Sequence, residues 1–227
     1  MDKKELTALL ALAELAGKKA GDFILKNRPR DINFKSSEHD LVTECDKAVE
    51  TIIRGVLESS GISILGEEFG GQTDLTQSWV IDPIDGTYNF VKGSSLVGSN
   101  IALIIEEEPV LALTNLPYLN EIYTSIRGSG VFFNGAKLPK FDSEPPQRPL
   151  NIGLSTNRST TRLLGAASVE LAWFARTIFS EVKYDKVAPW DVAPGILFTK
   201  ELGGFITSTG SPYWDDAHFS SFMGSNG

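Results

Sequence analysis

The stretch GEEFGGQTDLTQSWVIDPIDGTYNF, residues 66–90, decides how the rest of the chain is read. Trp79-Val80-Ile81 is a short apolar run leading directly into Asp82, which predicts a buried strand that ends on a carboxylate. Pro83 then predicts a turn, and Asp85-Gly86-Thr87 predicts the opening of a helix. Upstream, the apolar residues 62–65 predict another strand, which delivers Glu67 and Glu68 just after Gly66. Carboxylates gathered at strand ends, beside a helix N-terminus, suit a hard cation and a phosphate.

Each of these residues also has a plainer reading. Asp-Pro and Asp-Gly are ordinary loop formers. Glu67 reads equally as a solvated loop acid, and Asp191, placed after Trp190 at a helix start, as an N-cap. Asp46 reads either as the last acid of a capping box, Thr43-Glu44-Cys45-Asp46, or as a hydrogen-bond partner of Thr87. Gly86 and Thr87 either cap their helix or bring backbone amides to an anion, with the Thr87 hydroxyl holding a water. What favours chemistry is the spacing. Two acids three apart, Asp82 and Asp85, can reach one cation from two directions, with the Ile84 carbonyl as a third oxygen. Magnesium prefers such oxygen sets.

The bulk properties agree. With 227 residues and 41% hydrophobic composition, the chain can bury one sizeable core or two fused layers. A net charge of -8 argues against nucleic-acid or anionic-membrane binding, and no basic run exceeds a pair such as Lys18-Lys19. The single cysteine, Cys45, excludes an internal disulfide framework and fits a reducing compartment. No segment approaches the ~18 consecutive apolar residues of a membrane helix, and MDKKELTALL lacks the layout of a signal peptide. A soluble, cytoplasmic protein is the expectation. Two histidines, His39 and His218, against 29 acids make carboxylates the catalytic currency rather than imidazoles.

Along the chain, helical spacing predicts a long amphipathic helix over 3–26 and another from residue 44, with Val49, Ile52, Ile53, Val56 and Leu57 as its buried stripe. From residue 62 the period changes to strands at 62–65, 78–81, 97–105, 110–113, 121–126 and 131–133, separated by Gly, Pro and Asn turns. That pattern predicts a mostly antiparallel sheet. The proline-rich DSEPPQRP, residues 142–149, is the candidate boundary between a larger part, 1–141, and a smaller α/β part, 150–227, within one compact unit. The smaller part predicts a strand at 151–155, a helix at 165–176, a strand at 178–184 and a last helix stopped by Gly203-Gly204. The fold class expected is α+β, a layered sandwich.

WVIDPIDGTYNF (79–90), GEE (66–68) and PWDVAPGILFTKELGG (189–204) together resemble the inositol monophosphatase family, and KSSEHDLVTECDKAVE (35–50) and GVFFNGAKL (130–138) extend the likeness over most of the chain. The resemblance implies an αβαβα sandwich of the sugar-phosphatase type and a magnesium-dependent, lithium-sensitive phosphomonoesterase using two or three Mg2+ ions. It implies that Glu67, Asp82 and the Ile84 carbonyl hold one ion and that Asp82, Asp85 and Asp191 hold a second. Glu67 and Thr87, backed by Asp46, would activate water, and the Gly86 and Thr87 amides would bind phosphate. Gly165 and Ala166 fall where the family contacts the alcohol part of its substrate, beside Asp85 and Asp191, and Lys35 falls on a loop near the metals. A small-molecule phosphate monoester is the implied partner, and a homodimer the implied assembly. Inositol monophosphate or a related sugar or polyol phosphate is the expected substrate. Fructose-1,6-bisphosphate, histidinol phosphate and adenosine 3',5'-bisphosphate are alternatives, and a non-catalytic phosphate-binding protein is the alternative of another class.

The likeness is thinnest at NRSTTRLL, residues 157–164, where the family carries about one more helix and strand, and after Tyr213, where it adds another strand and helix. The acid that family members place before the second motif has Asp185 and Glu181 as its candidates here, neither at the usual spacing.

Overall fold

The computed structural model describes residues 1–27, 32–34, 41–71, 75–142, 151–152, 161–185, 187–208 and 217–221. The first half runs α1 (Lys3–Lys26), β1 (Ile32–Phe34), β2 (Leu41–Thr43), α2 (Glu44–Leu57), β3 (Ser63–Gly66), β4 (Gln77–Asp85) and the short α3 (Thr87–Val91). Strands β5 (Gly98–Ile105), β6 (Glu108–Leu116), β7 (Glu121–Ile126), β8 (Gly130–Phe133) and β9 (Ala136–Lys137) follow. The remainder is β10 (Asn151–Ile152), β11 (Thr161–Arg162), α4 (Ala167–Ala175), β12 (Glu181–Lys183), α5 (Pro189–Leu202), β13 (Phe205–Ser208) and β14 (Ala217–Ser220).

Strands β3 to β9 form a seven-stranded sheet in sequence order, parallel between β3 and β4 and antiparallel elsewhere. A five-stranded sheet has the order β11-β10-β12-β14-β13. Strands β4, β5 and β6 are nearly continuously buried because both faces of the sheet are covered. On one face Trp79, Ile81, Ile101 and Leu103 join Ala13, Ala16 and Ala20 of α1 and Val49 and Ile53 of α2. On the other, Val80, Ala102 and Ile104 meet Ala193 of α5. Helix, sheet, helix, sheet is thus the order of layers, and the described residues supply four of the five expected. The fold is the α+β sandwich anticipated from the pattern.

Close approach of the layers rests on small residues. Helix α1 opens with a capping box, Asp2 accepting from the Glu5 amide at 2.8 Å and Glu5 from the Asp2 amide. An added Cβ on its Gly17 would stand 2.7 Å from Leu113, so glycine sets how near the helix lies to β6. Helix α5 is buried continuously over residues 192–199, touches strands β4, β5, β6 and β13, and crosses α4 where Gly195 leaves room for Leu171. No helix among the described residues is long and apolar enough to cross a membrane.

Several expectations shift. The turn expected at Pro83 does not form, because β4 runs on through Pro83 to Asp85. The loss of the proline amide is absorbed by a bulge: Asp82 pairs with Asn100 and Asp85 with Gly98, three steps on β4 against two on β5. The helix expected over 165–176 begins at Ala167, since Gly165 has φ +75°, and the strand expected over 178–184 is only Glu181–Lys183. Lys35, the Thr43 side chain, most of the proline-rich connector, residues 153–155 and the link through Asn157 lie outside the described residues.

Candidate metal centre

The bulge at Pro83 creates the site. In a regular strand, residues three apart point to opposite faces. Here Trp79, Ile81 and Ile84 all join the core on the α1/α2 side, so the alternation slips by one between 81 and 84. Asp82 follows Val80 onto the α5 face, and after the slip Asp85 reaches that face too. The first turn of α5 brings Asp191 to them. Ligand oxygens of Asp82, Asp85 and Asp191 lie within 4.8 Å of one another.

Asp191 is held there by two devices. Its Oδ2 accepts the amide of Ala188 at 2.8 Å, which is the capping reading of this residue. Pro194, inside α5, has no N–H to give the Trp190 carbonyl four residues back. Asn100 supplies the missing donor: its Nδ2 lies 3.3 Å from the Trp190 and the Asp191 carbonyls, and its Oδ1 accepts from Thr114 at 2.7 Å. Asn100 is also the register partner of Asp82, so one buried amide ties the second motif to the first.

Asp85 accepts the Ser168 amide at 2.5 Å and is also hydrogen-bonded by the Ala167 amide. It caps α4 from a distant strand, as Ala166 has no side-chain oxygen to do so. An added Cβ on Gly98 would stand 2.1 Å from Ser168 Oγ, so this docking requires glycine opposite Asp85.

Glu67 arrives from β3 as anticipated. Gly66 pairs with Ile81, and the Glu67 amide donates to the Ile81 carbonyl at 3.2 Å, one residue before Asp82. The Glu67 carboxyl therefore lies close enough to Asp82 to act on its ionisation. Burial, then the charges of Glu67, Asp85 and Asp191, push the Asp82 carboxyl well above the usual range. Burial raises Asp85 to about 6, against the lowering effect of its Ser168 hydrogen bonds.

A cation fits this arrangement on structural grounds. Asp82 Oδ1 is buried with no hydrogen-bond partner among the described residues, an acceptor that protein atoms leave unused. Clustered carboxylate oxygens are hard ligands, and a cation would remove the repulsion that otherwise forces a proton onto the site. The Ile84 carbonyl already accepts from Thr87 Oγ1 at 3.1 Å and keeps a second lone pair.

Beside the acids, Thr87 Oγ1 donates to Asp46 Oδ1 on α2 at 3.0 Å, the hydrogen bond weighed against capping for Asp46. Gly86 opens α3 with φ +80°, a left-handed conformation that suits glycine. Its missing Cβ matters again: one added there would lie 2.9 Å from Ala166 Cβ and 3.3 Å from the Gly165 carbonyl. The structure therefore brings Gly165 and Ala166 against Gly86. Asn89 fixes that contact, its Nδ2 donating to the carbonyls of Leu96 at 2.9 Å and Leu164 at 2.8 Å.

Sequence reasoning missed Asn89, Asn100, the amides of α4, and two buried acids, Glu50 and Glu170. The signal for the acids was present, as each is a lone charge inside an apolar run, AVETII and SVELAW. Of the two candidates for the acid before the second motif, Asp185 is exposed and Glu181 is half-buried in β12. Glu170 is the buried acid here: Oε1 accepts the Leu164 amide at 3.0 Å, and the Gly165 amide is a further partner. A cleft of about 550 Å3 between α1 and strands β6 and β7 is lined by none of the acids of the centre.

Acids packed against acids at the end of a sheet, beside a glycine-opened helix, are the site of a metal-dependent hydrolase. The description of the inositol monophosphatase family matches residues 5–150. Inositol-1-monophosphatase ImpA of Mycolicibacterium smegmatis is 32% identical, over 96% of this chain and 88% of that protein. A protein of Aquifex aeolicus named fructose-1,6-bisphosphatase/inositol-1-monophosphatase is 28% identical, over 92% of this chain and 89% of its own. The solved structure of the Thermotoga maritima IMPase superposes with a TM-score of 0.85 at 24% identity, covering 93% of this chain and 91% of that one. The chain belongs to the inositol monophosphatase family, a phosphatase that hydrolyses small phosphate monoesters.

Proposed function

We propose that this protein is a magnesium-dependent phosphatase of inositol monophosphate or a closely related polyol phosphate. The observation that carries the reading is the convergence of Asp82, Asp85 and Asp191 within 4.8 Å, beside a glycine-opened turn and a Thr87–Asp46 pair. Asp82, Asp85 and Asp191, with Glu67 and the Ile84 carbonyl, would hold Mg2+, in two or three ions. When bound, Mg2+ lowers the pKa of its water and neutralises phosphoryl charge. Occupancy of the same carboxylate set by Li+ would inhibit.

The chain's own groups do the positioning that phosphoryl transfer chiefly needs. The Thr87 hydroxyl donates its hydrogen toward Asp46 and the Ile84 carbonyl, which leaves its lone pairs to accept from the attacking water. Glu67 receives the proton that this water sheds. The amides of Gly86 and Thr87 bind the phosphate, and the Gly165–Ala166 backbone, pressed against Gly86, lines the alcohol side. The name of the Aquifex relative favours a second reading, in which a sugar bisphosphate also enters the site. A homodimer and a cytoplasmic location complete this reading, as does a division into 1–141 and 150–227 within one unit.

The test is phosphate release from a panel of monoesters and bisphosphates, with Mg2+ and with chelator. Mg2+-dependent turnover, fastest on inositol monophosphate and blocked by Li+, is the expected result. A folded protein that releases phosphate from none of them is a phosphate binder instead.

A further inference from the structure

Beneath the loop that carries Glu67 lies an ion pair that the chemistry above does not use. Glu50 of α2 has no solvent exposure, and its Oε1 accepts from Nε of Arg54, one turn along, at 2.8 Å. Both side chains then reach past their own helix. Glu50 Oε2 accepts the Glu68 amide at 2.7 Å and Oε1 the Phe69 amide at 3.2 Å. Arg54 donates to the Gly70 carbonyl at 2.5 Å. Gly66 roofs the pair, since a Cβ added there would fall 2.1 Å from Glu50 Oε1 and 2.9 Å from an Arg54 nitrogen. All three residues that follow Glu67 are therefore gripped by two side chains of α2.

Phe69 is 52% exposed, Glu68 is half-buried and Gly70 has φ +63°, so no apolar side chain anchors residues 67–70. The Gly66 amide closes the turn on the Gly70 carbonyl at 3.0 Å. Meanwhile Glu67 faces Asp82, a like charge, so the loop must resist being pushed outward. Successive amides aimed at one carboxylate, backed by a forked guanidinium, are a rigid way to resist.

We infer that Glu50 and Arg54 are positioning residues that hold the 67–70 loop, and through it Glu67, in place against the repulsion of the metal centre. The inference rests on the proposed role of Glu67 and adds what keeps it preorganised. Glu50→Gln keeps the shape but turns one acceptor oxygen into a donor, which in either orientation faces an amide of the loop. Hydrogen exchange of the 67–70 amides, and Mg2+ binding by calorimetry without substrate, are measured alongside turnover. Exchange at 68 and 69 should quicken at least about tenfold and Mg2+ affinity should fall about tenfold, as a hydrogen-bond loss of roughly this size implies. Ile53→Val, a core truncation on the same helix, should lower the melting temperature and move neither quantity. Should Glu50→Gln not fold, Arg54→Lys keeps the charge, gives up the fork, and carries the same expectations.

Unchanged exchange at 68 and 69 overturns the inference, as does a Mg2+ affinity within twofold of the parent. An equal change in Ile53→Val overturns it too, because general loosening would then be the cause. If the parent protein binds no Mg2+, the proposed function fails by itself, and the exchange arm still decides whether Glu50 holds the loop.

Discussion

The two sides of the centre are built on opposite electrostatic plans. On the metal side Glu67, Asp82, Asp85 and Asp191 crowd one another, and a buried oxygen of Asp82 has no hydrogen-bond partner among the described residues. On the alcohol side the 164–166 loop is held by neutral or singly charged contacts that are satisfied, Asn89 on two carbonyls and Glu170 on two amides. The first region stores repulsion that a cation would relieve. The second is held by hydrogen bonds that need no ligand. Catalytic demand and metal dependence should therefore concentrate in the first, and substrate preference in the second.

The severest way to break this contrast is Asp85→Asn. It removes one charge from the metal side and weakens the acceptor for the α4 amides. Loss of electrostatic stabilisation of this kind costs on the order of a hundredfold or more in kcat. Near-normal turnover in steady-state assays would mean that Asp85 holds no metal. Next comes Thr87→Ala, which leaves the carboxylates intact and removes only the hydroxyl that Asp46 orients. A fall of about tenfold to a hundredfold in kcat, with Mg2+ affinity unchanged, is expected from the loss of one positioned hydrogen bond in a transition state.

Stability sharpens the contrast from another direction. Asp85 is raised to about 6 and Asp82 is raised further in the same sense. A carboxyl with a folded pKa above its unfolded one stabilises the fold when protonated, so this contribution is full below about pH 4 and fades as pH rises. Chelated protein should therefore lose stability between about pH 4 and 6 through Asp85, by on the order of 3 kcal/mol. Excess Mg2+ should flatten that slope. Asp82→Asn should melt higher than the parent in chelator and gain nothing from Mg2+. A lower melting temperature in chelator would show that Asp82 is not strained.

The smallest effect is reserved for the alcohol side. Glu170 is raised from its ordinary value, first by burial, yet two loop amides lie on it. Glu170→Gln keeps one acceptor oxygen, so KM should rise only about three- to fivefold, the size of a weakened hydrogen bond, with kcat within about twofold. A large fall in kcat would place the alcohol-side loop in the catalytic machinery and erase the distinction between the two regions.

Much of this was legible in the chain. The acids, the glycine and threonine at 86 and 87, the long first helix and the mostly antiparallel sheet all follow from period, spacing and motif. Pro83 misled, because a proline after an apolar strand reads as a turn, while a bulge can absorb its missing amide inside the strand. The same proline argument ran the other way in α5, where Pro194 sits inside the helix and Asn100 answers the carbonyl it leaves open.

By itself the sequence determined which groups are available: acids in place of histidines, glycines where a backbone must turn left-handed, and apolar runs long enough for strands covered on both faces. Only the tertiary structure decided which of the acids meet. Asp82 and Asp85 share a face because a one-residue bulge slips the strand alternation, and Asp191 joins them because Asn100 docks α5 on β5. Glu50, Glu170 and Asn89 look like stray polar residues in the chain, and only packing aims them at the backbone of two loops. Local pattern fixes what a residue can do. Its partners, and so its function, are set by contacts dozens of residues away, which no local period encodes.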